Sequence, residues 1–257
     1  MKETHLEESI SFEEQRNVAQ TNTSYYDLKW GSVKNPAKEN TWNWVAFFFT
    51  LFWLAYRKMF KPFFVLGVIE MLWMVPFYLV DIPFWVDIPF YIVISLVVGW
   101  NGNRWYYNHT SRILKQAATL SESQQLAYLR TKGGSHIGIM LGLNIFLIVL
   151  YFIADLGLSY LPTKTNIKDV VRLSGEGETL EVFTDKPKWK YVQKNGRHYV
   201  TEFKGYDYSE KENVRIVFYV YLDKQIYEWR QIYINGKKLS KKEAEDYEVW
   251  IEDNSWY

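Results

Sequence analysis

The sequence contains no cysteine. This absence excludes disulfides, thiolate nucleophiles and zinc sites built on cysteine, and it leaves the redox compartment open. An excess of charge of one sign is also lacking, because 30 Lys and Arg stand against 29 Asp and Glu, for a formal net charge of +1. Such a balance does not have the basic footprint of a nucleic-acid-binding protein. We therefore expect no nucleic-acid partner.

Charged residues are scarce in one long stretch of the chain. Residues 41–164 hold nine Lys and Arg and five Asp and Glu, whereas residues 165–257 hold sixteen and seventeen. The 12 Trp and 20 Tyr residues suit a membrane–water boundary, because their rings are apolar and each carries one polar N–H or O–H group. Residues 1–40 are polar and lean acidic, which predicts a poorly ordered N-terminal segment.

Four apolar segments lie in the stretch that is poor in charge. Residues 42–56 are apolar on every side, but about 15 residues at ~1.5 Å each span roughly 22 Å, which is short of a hydrocarbon core of ~30 Å. This segment is therefore predicted to be either a re-entrant or a short helix. The segments 63–80, 86–103 and 137–161 are long enough to cross. The sequence thus predicts an α-helical membrane domain over residues 41–161 with three spans.

The positive charges predict how these spans are oriented. Basic residues lie before the second segment and between the third and the fourth, where residues 108–132 are predicted to form a cytoplasmic helical loop. The connector 81–90 carries two Asp and no Lys or Arg. The positive-inside rule places the basic loops in the cytoplasm and the connector outside. We therefore expect a multi-pass protein of the cell membrane whose C-terminal domain lies outside the cytoplasm, whichever form residues 42–56 take.

Residues 165–257 have the alternation of β-strands, and they are predicted to form a small α+β domain with an antiparallel four-stranded sheet. Ser240 followed by Glu243 is the signature of a capping box, which predicts a closing helix. The Asn-Gly pairs are strong signals of tight hairpin turns. The predicted strands are residues 188–193, 197–204, 214–222 and 226–234, with Asn-Gly turns at 195–196 and 235–236.

Two stretches of the chain resemble a known family. Residues 25–60 contain NWVAFFFTLFWLAYRKMF, and residues 99–115 read GWNGNRWYYNHTSRILK. Both resemble the small bacterial membrane proteins grouped as domain of unknown function 2628, in which an aromatic stretch ending in Tyr-Arg-Lys-Met precedes hydrophobic helices and an Asn-x-Trp-Tyr stretch. The matching residues are Asn43, Trp44, Ala46, Phe47, Phe48, Phe49, Phe52, Trp53, Tyr56, Arg57, Lys58, Met59, Asn103, Trp105 and Tyr106.

This resemblance implies a membrane protein and brings no activity with it. The chain departs from the family pattern at Thr50 and Leu51, where relatives have a small residue and a proline, so we expect the helix to be less broken here. In the tail, the stretches FTDKPKWKYV, YVTEFKG and VRIVFYVYLD resemble small exported domains attached behind such membrane regions.

Three polar residues lie inside the apolar segments, namely Glu70, Asn144 and Asp155. An ionised carboxylate at the bilayer centre costs ~2.5–3.5 kcal/mol on insertion scales. Glu70 is therefore predicted either to be a proton- or ion-linked site, paired with Asn144, or to be a hydrogen-bonded carboxyl that locks helices together. We favour the second interpretation. Asp155 is predicted to lie near the outer interface.

An aromatic and basic cluster follows the first apolar segment. It is formed by Trp53, Tyr56, Arg57, Lys58 and Lys61. Basic side chains next to anionic lipid headgroups contribute about 1 kcal/mol each, so this cluster is predicted to anchor the chain at the membrane interface. Membrane lipid is thus an expected partner.

The sequence shows no catalytic, cofactor-binding or metal-ligating set of residues. We therefore expect a non-enzymatic integral membrane protein that displays an extracytoplasmic binding or assembly domain, as a sensor, a scaffold or an envelope-associated partner of another membrane or envelope protein. The alternative is an oligomeric transport or channel component that uses Glu70, since three or four spans would have to associate to enclose a path. A membrane-embedded enzyme is a third hypothesis, which the lack of paired carboxylates or a Ser/His pair disfavours.

Overall fold

Helices occupy the described chain from Phe12 to Phe183, and five strands and a last helix come after them. The computed structural model describes residues 11–255, which divide into two units. The first unit comprises the chain up to Leu72 together with Pro83–Phe152, and the second comprises Trp73–Ile82 and the chain from Ile153 onward.

The helices that build the first unit differ widely in length. Of these, α4 and α7 begin in the first unit and end in the second. The helices are α1 (Phe12–Ala19), α2 (Thr23–Gly31), α3 (Trp44–Tyr56), α4 (Phe60–Leu79), α5 (Asp87–Ala117), α6 (Glu122–Lys132) and α7 (Ile137–Ser159).

Three helical segments are long and apolar enough to cross a membrane, namely Phe60–Leu79, Phe84–Ala117 and Ile137–Ser159. Helix α5 is 31 residues long and includes the first part of the loop that was predicted over residues 108–132. The remainder of the loop is the separate helix α6, so the predicted helical loop consists of the end of α5 and α6.

Helix α3 has 13 residues, or roughly 20 Å at ~1.5 Å per residue. Its backbone is non-helical at Thr50, with φ 15° and ψ −95°, and the helix kinks there. The sequence predicts a less broken helix because the small residue and proline of the family are replaced. The kink shows that the break does not depend on them.

Two helices lie in the N-terminal segment for which the sequence predicts little order. A capping box of Ser11 and Glu14 begins α1. In α2, Tyr26 and Trp30 are each 2% exposed and lie in the core of the first unit. Burial of two large aromatic side chains offsets the polar composition of the segment. The prediction for residues 1–10 lies outside the described residues.

Close contact between α3 and α5 depends on two glycines of α5. A Cβ atom added at Gly99 would lie 2.8 Å from Cβ of Phe47, and one added at Gly102 would lie 3.0 Å from Cβ of Ala46. Small residues at such positions allow the backbones of two helices to approach in an apolar environment.

The second unit contains a five-stranded sheet, so the prediction of four strands is corrected by one. The strand order is β1-β2-β3-β4-β5, with every neighbouring pair antiparallel. The added strand exists because Asn235 and Gly236 both have positive φ and turn the chain back onto β4. The elements are α8 (Lys164–Arg172), α9 (Gly175–Phe183), β1 (Thr184–Asn195), β2 (His198–Asp207), β3 (Glu212–Tyr221), β4 (Ile226–Ile234), β5 (Lys237–Lys238) and α10 (Lys241–Asp253).

The first strand of the sheet begins earlier than predicted. Strand β1 begins at Thr184 and runs through Pro187, with a register shift between Asp185 and Lys188. A proline is tolerated here because β1 is an edge strand and the ladder is irregular at that point. The closing helix is confirmed, since both hydrogen bonds of the Ser240–Glu243 capping box are formed.

One face of the sheet carries the core of the second unit. Phe203, Ile216 and Phe218 are fully buried there. The helices contribute Ile167 of α8, Leu180 of α9 and Ile251 of α10 to the same cluster. The intervening side chains of β3, from Arg215 to Tyr221, lie on the opposite face and are half-buried.

The α3–α5 contact makes a testable prediction. Gly99→Ala places a methyl group where Phe47 lies, and overpacking of this kind costs ~1–3 kcal/mol. We expect the free energy of unfolding of the detergent-solubilised protein to fall by about that amount, measured by equilibrium unfolding. Gly142→Ala in α7 is the matched control, because nothing lies within 4 Å of an added Cβ there. Equal stability of the two variants would contradict the close contact.

Candidate functional site

The intramembrane candidate Glu70 has a partner on α7. Its side chain is 7% exposed, and its Oε2 atom accepts a hydrogen bond of 3.0 Å from the hydroxyl of Tyr151. The same hydroxyl lies 3.2 Å from the carbonyl oxygen of Gly67. The contact therefore joins α4 to α7 at a position where Gly67 already allows Leu147 to approach closely.

Asn144 does not hydrogen-bond to Glu70. Its Nδ2 atom instead donates to the carbonyl oxygen of Met140 in its own helix, at 2.8 Å. The predicted pairing of Glu70 with Asn144 is thus replaced by the pairing with Tyr151. Sequence reasoning missed this partner because the helical period does not determine which face of α7 meets α4.

Asp155, the other acidic candidate, and Asp81 of the connector both lie in the second unit. Asp155 accepts a hydrogen bond from the hydroxyl of Tyr78, and Asp81 forms an ion pair with Lys168 of α8. Burial alone would raise the pKa of Asp81, but the hydrogen bond and positive charge of Lys168 outweigh this effect, and the pKa lies below its usual value. Within residues 11–255 there is no cluster of three or more His, Cys, Asp or Glu suited to a metal ion.

Three residues of the predicted lipid anchor have protein partners. Trp53 is 4% exposed and belongs to the core. The Nζ atom of Lys58 donates to the carbonyl oxygens of Thr131 and Gly133, at 2.9 Å and 2.6 Å. Burial, followed by the nearby charge of Lys132, lowers the pKa of Lys58. Lys58 therefore links the end of α6 and the turn after it to the segment that precedes α4.

Arg57 is the third of these residues, and it is 2% exposed. Its guanidinium carbon lies 4.9 Å from the ring centre of Tyr26 and 5.0 Å from that of Tyr106. Its Nη1 atom donates to the hydroxyl oxygen of Thr21 at 2.8 Å. Of the five anchor residues, Tyr56 is half-buried and Lys61 is exposed. The lipid-anchor role stays a prediction, and Lys61 is the basic residue best placed for it.

Two asparagines of the family-like motif form a buried polar junction. Asn43 caps α3 by accepting from the backbone N–H of Ala46 at 2.9 Å, and its Nδ2 atom donates to Oδ1 of Asn103 at 2.8 Å. The indole N–H of Trp30 donates to the carbonyl oxygen of Asn103 at 3.1 Å. The backbone N–H of Asn43 donates to the carbonyl oxygen of Gly99 at 2.8 Å. The motif thus specifies how α2, α3 and α5 pack.

The uncovered face of the sheet carries a ladder of stacked aromatic and basic side chains, here called the open face. The ring of His198 stacks on Tyr219 at 3.9 Å between centroids, and the guanidinium of Arg230 lies 4.5 Å from the centre of the same Tyr219 ring. Arg215 lies 3.8 Å from the ring centre of Tyr233.

A carboxylate balances part of this positive charge. Glu202 accepts from Arg215 at 3.1 Å and pairs with Lys204 at 2.9 Å. Burial raises the pKa of Glu202, but Lys204 and Arg215 together lower it below its usual value. The sequence shows many aromatic residues in this domain without separating core from surface. The structure places Tyr227 and Trp229 against the core and leaves the stacked residues on the open face.

The protein therefore belongs to the class in which a helical region is followed by a small α+β domain. Its helical region contains three apolar helices long enough to cross a membrane. Residues 10–112 match the model of the family described as "Protein of unknown function (DUF2628)". This match confirms the family resemblance seen in the sequence over residues 10–112, and it does not extend to the C-terminal domain. No curated protein and no solved structure matches the chain.

The Glu70–Tyr151 contact predicts a measurable coupling between α4 and α7. Interhelical hydrogen bonds in membrane proteins average about 0.6 kcal/mol in double-mutant cycles. We expect a coupling of that order in the free energy of unfolding from the cycle of Glu70→Leu and Tyr151→Phe.

The matched control is the cycle of Glu70→Leu and Asn144→Leu, which is expected to show no coupling because Asn144 bonds within its own helix. Glu70→Gln retains an acceptor oxygen and is expected to lower the free energy of unfolding by less than Glu70→Leu does. Coupling to Asn144 in place of Tyr151 would show that the interhelical contact is wrongly assigned.

Proposed function

We propose that this protein is an integral membrane protein that displays its C-terminal domain outside the cytoplasm, where the open face is a surface for binding or assembly. The observation that carries the proposal is the segregation of charge along α4. Lys58 and Lys61 lie at its beginning, and just beyond its end Asp81 pairs with Lys168 of the C-terminal domain. By the positive-inside rule, the basic beginning faces the cytoplasm and the domain lies on the other side.

The surface of the long helices supports insertion in a bilayer. On α7, Ile145, Ile148 and Phe152 are 60%, 60% and 67% exposed. Contiguous apolar surface of this kind is disfavoured in water and marks contact with a partner or a membrane. Lipid chains would cover it along the whole length of the helix.

The kinked helix α3 supports a cytoplasmic N-terminal segment. At roughly 20 Å it is shorter than a hydrocarbon core of ~30 Å, so we place it as a re-entrant helix that enters and leaves on the same side. With α4, α5 and α7 as three spans, the chain then crosses the bilayer three times, and a cytoplasmic N-terminal segment leaves the C-terminal domain outside.

The open face supports a binding role for the displayed domain. Tyrosine and arginine supply large, rigid contact areas and are enriched at protein interfaces. Here Tyr219, Tyr233, Arg215 and Arg230 are held in place by stacking on one another across the strands, so little conformational entropy would be lost when a partner binds. Another membrane or envelope protein, or a second copy of this chain, is the expected class of partner.

The contacts of Glu70 do not favour the transport alternative. The carboxyl group is engaged by Tyr151 between two helices of one chain, which is the arrangement expected of a structural lock. A translocation path would instead need Glu70 to face a shared interior between copies of the chain. We therefore retain the display proposal.

The absence of native cysteine allows a direct test of orientation. Ser209→Cys lies in the exposed turn after β2, and Ser123→Cys lies on exposed α6, so both thiols are accessible to a reagent that reaches their side of the membrane. We expect a membrane-impermeant maleimide to label Ser209→Cys in intact cells and to label Ser123→Cys only after lysis. The readout is the labelled fraction of membrane-extracted protein.

The reverse pattern would place the C-terminal domain in the cytoplasm and overturn the display proposal. Recovery of the unlabelled chain in the soluble fraction would overturn membrane insertion itself.

The open face is tested by a photoreactive benzoylphenylalanine at Tyr221, which lies at the end of β3 on that face. Illumination of intact cells is expected to give a covalent adduct larger than the chain, and Arg230→Glu is expected to reduce its yield because it reverses a charge of the ladder. The same amino acid at Tyr208, which is 65% exposed in the turn after β2, is the matched control. Equal yields at both positions would contradict a binding role for the face.

A further inference from the structure

A cavity of about 500 Å³ lies beside the beginning of α4 and the later part of α5. Its volume falls within the range of ~300–1,000 Å³ that is usual for small-molecule sites. It is lined by Met59, Lys61, Pro62, Val65, Leu66, Trp105, Asn108, His109 and Arg112.

The lining separates into an apolar and a polar part. Pro62, Val65, Leu66 and Trp105 lie along one helical turn of α4 and the facing turn of α5, and they provide hydrocarbon and an aromatic ring. The polar part is contributed by positions 61, 108, 109 and 112. Such a division suits a molecule that has an apolar chain and a polar head.

The charge of the polar part has one sign. Lys61 and Arg112 are both exposed cations, and none of the nine lining residues is acidic. A lysine and an arginine together favour a phosphate group, since both donate charge-assisted hydrogen bonds and neither can accept one. The expected head is therefore an anion.

One of the lining residues also carries an unsatisfied polar atom. The Nε2 atom of His109 is buried and has no hydrogen-bond partner among residues 11–255. A buried polar atom without a partner costs free energy, so His109 adds an unused hydrogen-bonding group to the polar part of the lining.

We propose that this cavity binds the headgroup and the upper acyl chain of an anionic phospholipid. The site lies next to Lys61 at the cytoplasmic end of α4 in the proposed orientation, and the cytoplasmic leaflet carries the anionic lipids. The inference rests on membrane insertion from the proposed function, and it does not depend on what the C-terminal domain binds. It also assigns a specific lipid contact to Lys61, which is the exposed basic residue of the predicted anchor.

Quenching of Trp105 by brominated lipid tests the site in the purified full chain. Phosphatidylglycerol with brominated acyl chains is titrated in mixed micelles of a non-ionic detergent, and the signal of Trp105 is obtained as the difference between the natural chain and Trp105→Phe. We expect saturable quenching by this lipid and weaker quenching by brominated phosphatidylcholine, which has no net charge.

Five variants separate the site from general attraction to charge or to apolar surface. Lys61→Gln and Arg112→Gln are each expected to raise the dissociation constant about fivefold, whereas Lys115→Gln, which changes an exposed cation of α5 outside the lining, is expected to leave it unchanged. Val65→Phe is expected to fill the cavity and reduce quenching, and Val68→Phe, an exposed position of α4 outside the lining, is its control.

Equal quenching by the two lipids, or equal effects of the cavity variants and their controls, would overturn the proposal. Release of the phosphatidylglycerol signal by millimolar inorganic phosphate would also overturn it, because the site would then bind the free anion. The measurement uses micelles and is independent of orientation. A reversed labelling pattern in cells would thus overturn the display of the domain without changing this result.

Discussion

The packing of the first unit depends on the junction of Asn43 and Asn103. A buried amide must satisfy its donors and its acceptor, and the cost of failing to do so is highest where water is absent. The two side chains bond to each other, Asn43 also caps α3, and the backbone of Asn103 accepts from Trp30. This junction can form only because Gly99 lets the chain at Phe47 approach. The hydrogen bonds of the junction and the absence of a side chain at Gly99 therefore depend on each other, and together they determine how closely α3 and α5 pack.

The same packing surrounds the buried guanidinium of Arg57, which lies just after α3. A buried guanidinium is normally paired with a carboxylate, because removing a charge from water costs several kcal/mol. Here the rings of Tyr26 and Tyr106 lie against it and Thr21 accepts from it. Cation–π contacts are stronger when both partners are removed from water, so the aromatic residues of α2 and α5 take the place of an acid. The N-terminal helices are ordered because they provide these groups.

Periodicity and segment length predict the parts of the fold that depend on neighbours in the sequence. They do not predict contacts between residues that are far apart in the chain. The long apolar helices, the Asn-Gly turns and the capping box at Ser240 depend on neighbours within a few residues, and they are found in the structure. The order of α2 is not predicted because it depends on Tyr106, far along the chain. The pairing of Glu70 with Tyr151 is missed for the same reason, since helical period alone does not determine which face of α7 meets α4. The fifth strand is missed because two residues show no alternation.

The two ends of α4 perform different tasks, and their chemistry reflects that difference. Just before its first residue, Lys58 donates hydrogen bonds to carbonyl oxygens of the turn after α6. The proposed lipid contact therefore uses Lys61, which lies beside the cavity. The last residues of α4 belong to the second unit, where Asp81 just beyond the helix pairs with Lys168 of α8.

The second unit thus includes the ends of two apolar helices, α4 and α7, as well as the sheet. If those helices cross the bilayer as proposed, the domain is held to the membrane through both of them and cannot diffuse away from it. Confinement of two binding surfaces to one membrane raises the effective concentration of each for the other. A modest affinity of the open face would then be sufficient for a partner in the same membrane, whereas a freely diffusing ligand would gain nothing from the attachment. The attachment therefore favours assembly with another envelope protein over capture of a soluble ligand.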